Sequence, residues 1–312
     1  MITIKNILCP VDFSAFSRHA LQHSAQLARW FESSLTVLYV YPPPVPPPPM
    51  LYGGLPGPLP TAPFPALTVS PERTREEVTA ELTKFAASVD TSGIQTRIHA
   101  RSGNPVRGIL DEAAALQSDL IVIGTHGHSG FDRLVLGSVA EKILRKARCA
   151  VLTVPPPVAE PPSDTLHIFK RILCPVDFSE ASMKAVKSAL ALAKEADAEL
   201  LLMHVIEGVA DVQHWQQPIN PSILEYLRLS ERNALSRLHD IVPADARTWC
   251  RPQEVLVTGK PYEEILRVAR DEDVHLIVMG VYGRNPVDLM FFGSTTNHVV
   301  RASTCPVLTL RG

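Results

Sequence analysis

Two glycine-rich segments have the residue types and the spacing that could hold a phosphate group. They share the pattern Gly-x2-Gly-x9-Gly-Ser, from Gly124 to Ser138 and again from Gly280 to Ser294. Each follows an apolar run that predicts a buried strand, and the first leads into an amphipathic segment that predicts a helix. Glycine lets the backbone come close to a ligand, and a helix N-terminus offers free N–H groups at the positive end of its dipole. The pattern therefore predicts two phosphate-binding loops, with tight structural turns that hold no ligand as the alternative.

The two loops differ in the residues around their glycines. Ser138 and Glu141 form the Ser-x-x-Glu pattern of a capping box, whereas the second copy has Asn297 at the position of the acid. Pro286 removes a backbone donor from the second loop, and Arg284 could offset that loss with a charge-assisted bond. We therefore expect Ser138 to cap its helix and the first loop to be the better formed.

Two histidines, His126 and His128, lie inside the first loop and raise the question of a metal site. They lack the clustered carboxylate or cysteine partners that a protein-only site would need. We expect them either to contact phosphate or to face solvent. A divalent ion carried by the phosphates themselves, Mg²⁺ or Mn²⁺, would need few protein groups.

The elements that position these loops occur twice in the chain. The run from Asn6 to Ser14 returns 165 residues later with eight of its nine residues identical. The Gly-x-Pro of residues 103–105, the glycine loop and the Cys-x-Val of residues 149–151 each return 156 residues later, so the first half is nine residues longer. Short apolar runs alternate with segments of helical periodicity, which predicts β-α-β units with parallel strands. The chain is therefore expected to be an internal repeat of α/β units.

Some features of the chain lie outside the repeat or near helix starts. Ser14 is expected to cap the first helix, and Ser70 the next one, with Pro71 at its first position.

Residues 41–65, dominated by Pro and Gly, predict a polyproline-like or irregular segment. This segment could be a docking ligand, an ordinary loop or a lid over the first site. Trp215, in the corresponding part of the second half, either packs over that site or is partly buried surface.

The composition is that of an ordinary globular protein. Of 312 residues, 46% are hydrophobic and 20% are charged, and the net charge of −2 gives no general attraction to nucleic acid or to an anionic membrane. The five cysteines form no Cys-x-x-Cys pair and predict buried, reduced thiols. No signal-like start and no run of about 18 apolar residues is present. We expect a cytoplasmic protein.

Taken together, these motifs resemble the universal stress protein family, as two tandem copies that cover nearly the whole chain. The resemblance rests on Pro-Val-Asp-Phe-Ser after the first strand, a second strand ending in Tyr39-Val40 or His204-Val205, the glycine loop, and an apolar closing strand. It implies two tandem Rossmann-like (HUP-type) α/β domains, residues 1–155 and 169–312, joined by a proline-rich linker at 156–168. Each would have a five-stranded parallel sheet with helices on both faces, and the closing strands, 150–154 and 306–310, would pair the domains about a pseudo-two-fold axis.

The resemblance also implies where ATP would bind. Adenine and ribose are expected near the ends of the first two strands, and the phosphates on the glycine loop and the helix that follows it. The implied residues of the first half are Pro10, Val11, Asp12, Val40, Gly124, Thr125, His126, Gly127, His128, Gly137, Ser138 and Val139. Those of the second half are Pro175, Val176, Asp177, Val205, Gly280, Val281, Gly283, Arg284, Gly293, Ser294 and Thr295. Asp12 and Asp177 could accept a hydrogen bond from adenine or ribose, or could simply form turns.

The function that the resemblance implies is that of an ATP-binding stress-response or signalling protein acting as a nucleotide-dependent switch. Its expected partners are an adenine nucleotide and an unidentified protein, without nucleic acid or membrane, in an intramolecular pseudo-dimer that could also form a homodimer of chains. A slow ATP hydrolase is one alternative, although no Walker loop and no paired carboxylates are present near the glycines. A nucleotide-independent interaction scaffold is another, against which the intact glycine motif argues.

Overall fold

Strands and helices alternate along the chain in two successive sets. The computed structural model describes residues 3–43, 74–126, 136–156, 169–207, 221–250, 252–281 and 293–311. The proline-rich segment 44–73, most of the predicted linker, Trp215 and the central parts of both glycine loops lie outside these residues. Within them, no helix is both long enough and apolar enough to cross a bilayer.

The bounds of the elements follow the repeat. The first half contains β1 (Asn6–Pro10), α1 (Ala15–Trp30), β2 (Ser34–Tyr41), α2 (Arg75–Ala86), β3 (Thr96–Ser102), α3 (Pro105–Ala115), β4 (Leu120–Gly124), α4 (Ser138–Lys146) and β5 (Ala150–Val154). The second half contains β6 (Arg171–Pro175), α5 (Glu180–Ala196), β7 (Glu199–Ile206), α6 (Pro221–Asp240), α7 (Ala246–Trp249), β8 (Gln253–Thr258), α8 (Pro261–Asp271), β9 (Leu276–Gly280), α9 (Ser294–Ala302) and β10 (Val307–Leu310).

All the strands belong to one ten-stranded sheet in the order β3-β2-β1-β4-β5-β10-β9-β6-β7-β8. Among the described strands, pairing is parallel within each half and antiparallel only between β5 and β10, at the centre. The predicted fold class, two five-stranded parallel Rossmann-like units paired through their closing strands, is confirmed.

Two threonines at this central pair show the pseudo-two-fold symmetry directly. The Thr153 hydroxyl donates to the Val307 carbonyl at 3.2 Å, and the Thr309 hydroxyl donates to the Val151 carbonyl at 3.1 Å. Thr153 and Thr309 are equivalent positions of the repeat, and both are buried. The pairing thus covers two apolar strands that would otherwise be exposed sheet edges.

The core lies on both faces of the sheet because successive strand residues point to opposite sides. In β1, Ile7 and Cys9 join the cluster beneath α1, α2, α5 and α6, while Leu8 joins the cluster beneath α3, α4, α8 and α9. Strands buried on both faces read as continuous apolar runs, as expected for a parallel sheet with helices on both sides.

The starts of two helices in the first half test the capping predictions. Ser14 caps α1, accepting a hydrogen bond from the Ser17 amide, as expected. Ser70 lies outside the described residues, and the helix start predicted there is wrong for α2, which begins at Arg75 with Thr74 as its N-cap. Thr74 and Glu77 form a complete capping box, at 3.2 Å and 2.9 Å, and this reciprocal pair fixes the helix start four residues later than the Ser-Pro pattern indicated.

The cysteines agree with the prediction of reduced thiols. All five are free; four are buried and Cys149 is partly buried. Burial raises the pKa of the Cys9 thiol to about 12 and the pKa of the Cys305 thiol to about 11. These thiols are therefore protonated and unreactive at neutral pH.

Candidate functional site

Each half of the chain has a cavity at the carboxyl ends of its parallel strands. The first cavity, about 310 Å³, lies between the ends of β1, β2 and β4 and the first turns of α3 and α4. The second cavity, about 470 Å³, lies between the ends of β6, β7 and β9 and the first turns of α8 and α9. In both halves this is the position at which the strand order reverses, where open α/β sheets bind ligands.

The structure brings most of the predicted site residues of the first half to one cavity. Nine of them line the first cavity: Pro10, Val11, Asp12, Val40, Gly124, His126, Gly137, Ser138 and Val139. Thr125 does not line it, and Gly127 and His128 lie outside the described residues.

The second half has the same arrangement. Eight predicted residues line the second cavity: Pro175, Val176, Asp177, Val205, Gly280, Gly293, Ser294 and Thr295. Val281 does not line it, and Gly283 and Arg284 lie outside the described residues.

The phosphate end predicted for each site is the first turn of a helix. The N-cap of α4 is Gly137, which makes no side-chain hydrogen bond, and Ser138 is already the first helical residue. The predicted Ser138–Glu141 capping box is therefore wrong, since a capping side chain must stand one residue before the helix. Helix α9 begins the same way at Gly293, so the expected difference in capping between the two loops is absent. Within the described residues, the first amides of both helices have neither an intrahelical partner nor a side-chain cap.

Backbone hydrogen bonds tie these helix starts to the central strands. The Gly137 amide donates to the Thr125 carbonyl at 2.8 Å, and the Thr125 amide donates to the Val154 carbonyl at 3.0 Å. In the second half, Gly293 donates to Val281, and Val281 donates to Leu310. Thr125 and Val281 thus position the helix starts from behind the cavity wall.

The glycine that ends β4 or β9 serves close packing as well as the cavity. A Cβ atom at Gly124 would lie 3.2 Å from the Phe16 carbonyl oxygen in α1, and one at Gly280 would lie 2.8 Å from the Ala181 Cβ in α5. Any side chain at either position would push the strand away from the helix. These two glycines therefore have a packing role, and they also line the cavities.

The aspartate after β1 or β6 forms a turn and also faces the cavity. One carboxylate oxygen of Asp12 accepts hydrogen bonds from the Ser14 hydroxyl at 2.5 Å and the Ser14 amide at 3.1 Å. Asp177 accepts a bond from the Ser179 amide at 2.9 Å. Both aspartates also line their cavities, so the turn-forming role does not exclude contact with a ligand.

Each of these turns contains a strained phenylalanine that sequence reasoning missed. Phe13 has φ of 65° and Phe178 has φ of 63°, in the left-handed region that bulky residues rarely adopt. The Phe13 ring packs 4.5 Å from Tyr39 and 5.4 Å from Phe85, centroid to centroid. Aromatic packing therefore holds the backbone turn that places Asp12. No Gly or Asn marks the turn in the sequence, so its conformation left no local signal.

Further cavity residues come from the base of α3 and α8 and from the strand ends. Pro105 and Ile109 line the first cavity, and Pro261 and Ile265 line the second. The repeated Gly-x-Pro could have indicated them, because a motif retained in both halves marks a position with a shared role. The strand ends differ: Tyr39 lines the first cavity, while His204 and Glu207 line the second.

His126 is buried and its ring is fixed. Its Nδ1 atom lies 2.9 Å from the Thr125 hydroxyl, and its ring centroid lies 5.5 Å from that of Phe16. The expectation that it faces solvent is wrong for this residue, which is 6% exposed. The described residues contain no group of three or more side chains that could hold a metal ion.

Comparison with known proteins identifies relatives for both halves. The model of the universal stress protein family matches residues 3–155 and 168–311. A universal stress protein of Methanocaldococcus jannaschii is 28% identical over 162 residues, covering 46% of this chain and 96% of its own. One from Mycolicibacterium smegmatis is 24% identical over 312 residues, covering 98% of this chain and 96% of its own. The solved structure of a universal stress protein from Archaeoglobus fulgidus matches 98% of this chain and 96% of its own, with a TM-score of 0.63 and 21% identity.

Proposed function

Because the chain belongs to the universal stress protein family, we propose that it is a stress-response or signalling protein that binds one ATP molecule in each half. The nucleotide acts as a switch for a protein partner. The observation that carries this proposal is the pair of uncapped helix starts, at Gly137 and Gly293, each on the wall of a cavity at the strand-order reversal.

The phosphate end of each proposed site rests on backbone geometry. The first three amides of α4 have no partner within the helix, and the positive end of the helix dipole lies at the same point. An anion placed there satisfies the amides, which an apolar ligand would leave unpaired. Ser138 and Ser294 add a hydroxyl at the first helical position of each half.

The other end of each cavity suits a base and a sugar. In the first cavity, Val11, Val40 and Ile109 supply apolar surface for a flat ring, and the Asp12 carboxylate is an acceptor for an amino group or a ribose hydroxyl. The volumes of about 310 and 470 Å³ fall in the range of about 300–1,000 Å³ typical of small-molecule sites. One polar acceptor in an apolar slot is the arrangement that orients a ligand of this kind.

A divalent ion, Mg²⁺ or Mn²⁺, would reach these sites on the nucleotide phosphates. The Asp12 and Ser138 side chains line the first cavity and are oxygen donors of the kind that such ions accept. The protein would then contribute only a few of the ligands. The ion would offset the charge of the phosphates.

The proposed cellular setting is a reducing one such as the cytoplasm. All five cysteines are free, although Cys149 remains partly exposed. Free thiols persist in reducing compartments, whereas secreted proteins of this size usually oxidise theirs.

The first test is the nucleotide content and binding stoichiometry of the purified chain. The protein is denatured, the released nucleotide is identified, and the stripped protein is titrated calorimetrically with ATP, ADP and adenosine. Two ATP sites per chain, with weaker binding of adenosine, are the expected result. Absence of both released nucleotide and binding heat, with the fold intact, would favour the scaffold. Release of ADP and phosphate from bound ATP over hours would favour the slow hydrolase.

A further inference from the structure

The two cavities differ in the acidic side chains on their walls. Each has an aspartate, Asp12 or Asp177, but the second cavity also has Glu207, two residues beyond Val205. The repeat puts Pro42 at the position of Glu207, and Pro42 does not line the first cavity. Within the described part of the chain, the Glu207 carboxylate makes no hydrogen bond or ion pair. Both of its oxygens are therefore available to a ligand.

The second cavity is also the larger one, and a difference between the helices beside the strand ends accounts for this. Gly108 of α3 lies against Val40, since a Cβ atom there would be 2.9 Å from both γ carbons of Val40. The repeat puts Glu264 of α8 at this position. Helix α8 therefore has a side chain where α3 packs through its backbone, and it cannot approach Val205 as closely. The volumes, about 470 and about 310 Å³, agree with that difference.

A carboxylate beside the base distinguishes guanine from adenine. Guanine presents two adjacent N–H donors, at N1 and at the 2-amino group, and these match the two oxygens of a carboxylate. Adenine presents one amino donor beside the lone pair of N1, and that lone pair repels a carboxylate oxygen. The 2-amino group of guanine also needs space that adenine leaves empty. The extra acid and the extra volume of the second cavity thus favour the same base.

We propose that Glu207 makes the second cavity selective for a guanine nucleotide, by accepting hydrogen bonds from N1–H and from the 2-amino group of the base. The inference rests on the proposed nucleotide function and deepens it. Both cavities bind ATP when ATP alone is offered, because their helix starts at Gly137 and Gly293 are alike. When both nucleotides are present, the second cavity takes GTP and the first takes ATP. One chain then responds to both nucleotides.

The first part of the test compares GTP, inosine triphosphate and ATP by calorimetry, in the full chain carrying Ser138→Pro to weaken the first site. GTP should bind the second site about 10-fold more tightly than ATP, in the lower part of the range for a bidentate contact, because Glu207 is exposed. Inosine triphosphate lacks the 2-amino group and should fall between them. Ser294→Pro, made alone, should weaken GTP binding, which assigns it to the second half.

The second part of the test changes Glu207 to glutamine, which has nearly the same shape. The glutamine amide has one acceptor and one donor, which match the amino group and N1 of adenine and oppose one donor of guanine. In Glu207→Gln the second site should therefore bind ATP more tightly than GTP. Glu225→Gln is the matched control, because it removes the same charge from an exposed residue of α6 that lines neither cavity. It should keep the preference for GTP, and thermal melting checks both folds.

The results separate this inference from the proposed function. An unchanged ratio of GTP to ATP affinity in Glu207→Gln would overturn the inference. So would equal affinities for the two nucleotides at the second site of the parent. ATP binding at both sites without any GTP binding would overturn the inference and leave the proposed function intact. If neither nucleotide binds at either site, the proposed function fails together with the inference.

Discussion

One amide at the start of α4, that of Ser138, can be removed without disturbing the helix. Ser138 is the first helical residue, and its amide makes no intrahelical bond. Proline is favoured at this position, and the preceding Gly137, with φ of −57° and ψ of 136°, already has the extended conformation that a following proline requires. Ser138→Pro should therefore fold normally while it deletes one backbone donor from the proposed phosphate site.

The size of the effect follows from the kind of bond that is lost. A hydrogen bond to a charged group contributes about 1.5–3 kcal/mol, which corresponds to about 10- to 100-fold in the dissociation constant. Ser138→Ala is the matched control, because it removes the same hydroxyl and keeps the amide. We expect the proline variant to bind ATP about 10- to 100-fold more weakly than the alanine variant, with an unchanged melting temperature.

Calorimetric titration with ATP measures both constants, and the second site provides an internal reference. Its affinity should stay constant in both Ser138 variants and should fall only when Ser294→Pro replaces Ser294→Ala. Equal ATP affinities of the proline and alanine variants at the first site would refute the reasoning, because the helix amides would then contribute nothing to binding. Loss of the second site in the Ser138→Pro variant would show that the change had spread through the fold.

Three further predictions concern stability. In denaturant unfolding, the Phe13→Gly variant should be more stable than the Phe13→Ala variant by about 1 kcal/mol. Both variants lose the ring, and only alanine carries the cost of φ near 65°. An alanine variant more stable than the glycine variant, as is usual elsewhere, would contradict this. Thr153→Val and Thr309→Val should each lower the free energy of unfolding by about 1 kcal/mol, because each removes one buried hydrogen bond between β5 and β10. The two losses should be roughly equal. An unchanged denaturation midpoint in either variant would contradict this. Burial and the charge of His19 lower the pKa of His23 to about 4. As the pH falls, the unfolded state therefore takes up the proton before the folded state does. The free energy of unfolding should fall by about 2 kcal/mol between pH 7 and pH 5. In the His23→Gln variant, thermal melting should show a smaller loss of stability between pH 7 and pH 5. An equally large loss in the variant would refute the assignment of this pH dependence to His23.

The parts of the fold that the sequence predicts are those set by periodicity and repetition. The strands at residues 120–124 and 150–154 are apolar runs in the sequence. The internal repeat predicts that the second half forms the same elements in the same order. The pairing of β5 with β10 is what the family resemblance implies, and it covers two apolar edges that have the same place in each half. Hydrophobic burial is non-directional and additive, so a one-dimensional pattern is enough to indicate it.

Helix starts are less predictable, because they depend on which of several polar residues takes the capping geometry. Ser138 with Glu141, and Ser70 with Pro71, both match sequence patterns of a helix start, yet the caps are Gly137 and Thr74. At Gly137 the hydrogen bond to the Thr125 carbonyl fixes the helix start, and Thr125 is held in turn by Val154. Such a start is set by contacts across the sheet, which no local pattern contains.

The comparison of the two halves separates what the backbone determines from what the side chains determine. At the proposed phosphate end, both halves have a glycine N-cap followed by serine. In both halves the cap amide bonds to one residue, whose own amide bonds to a closing strand. At the strand ends, Tyr39 is exchanged for His204, Glu207 is added, and the cavity grows from about 310 to about 470 Å³. Among substitutions, only proline removes a backbone amide. A site that binds an anion through backbone amides can therefore keep that binding while its other lining side chains change. The glycine pattern therefore indicates a shared ligand group, and the strand ends determine how the two sites differ.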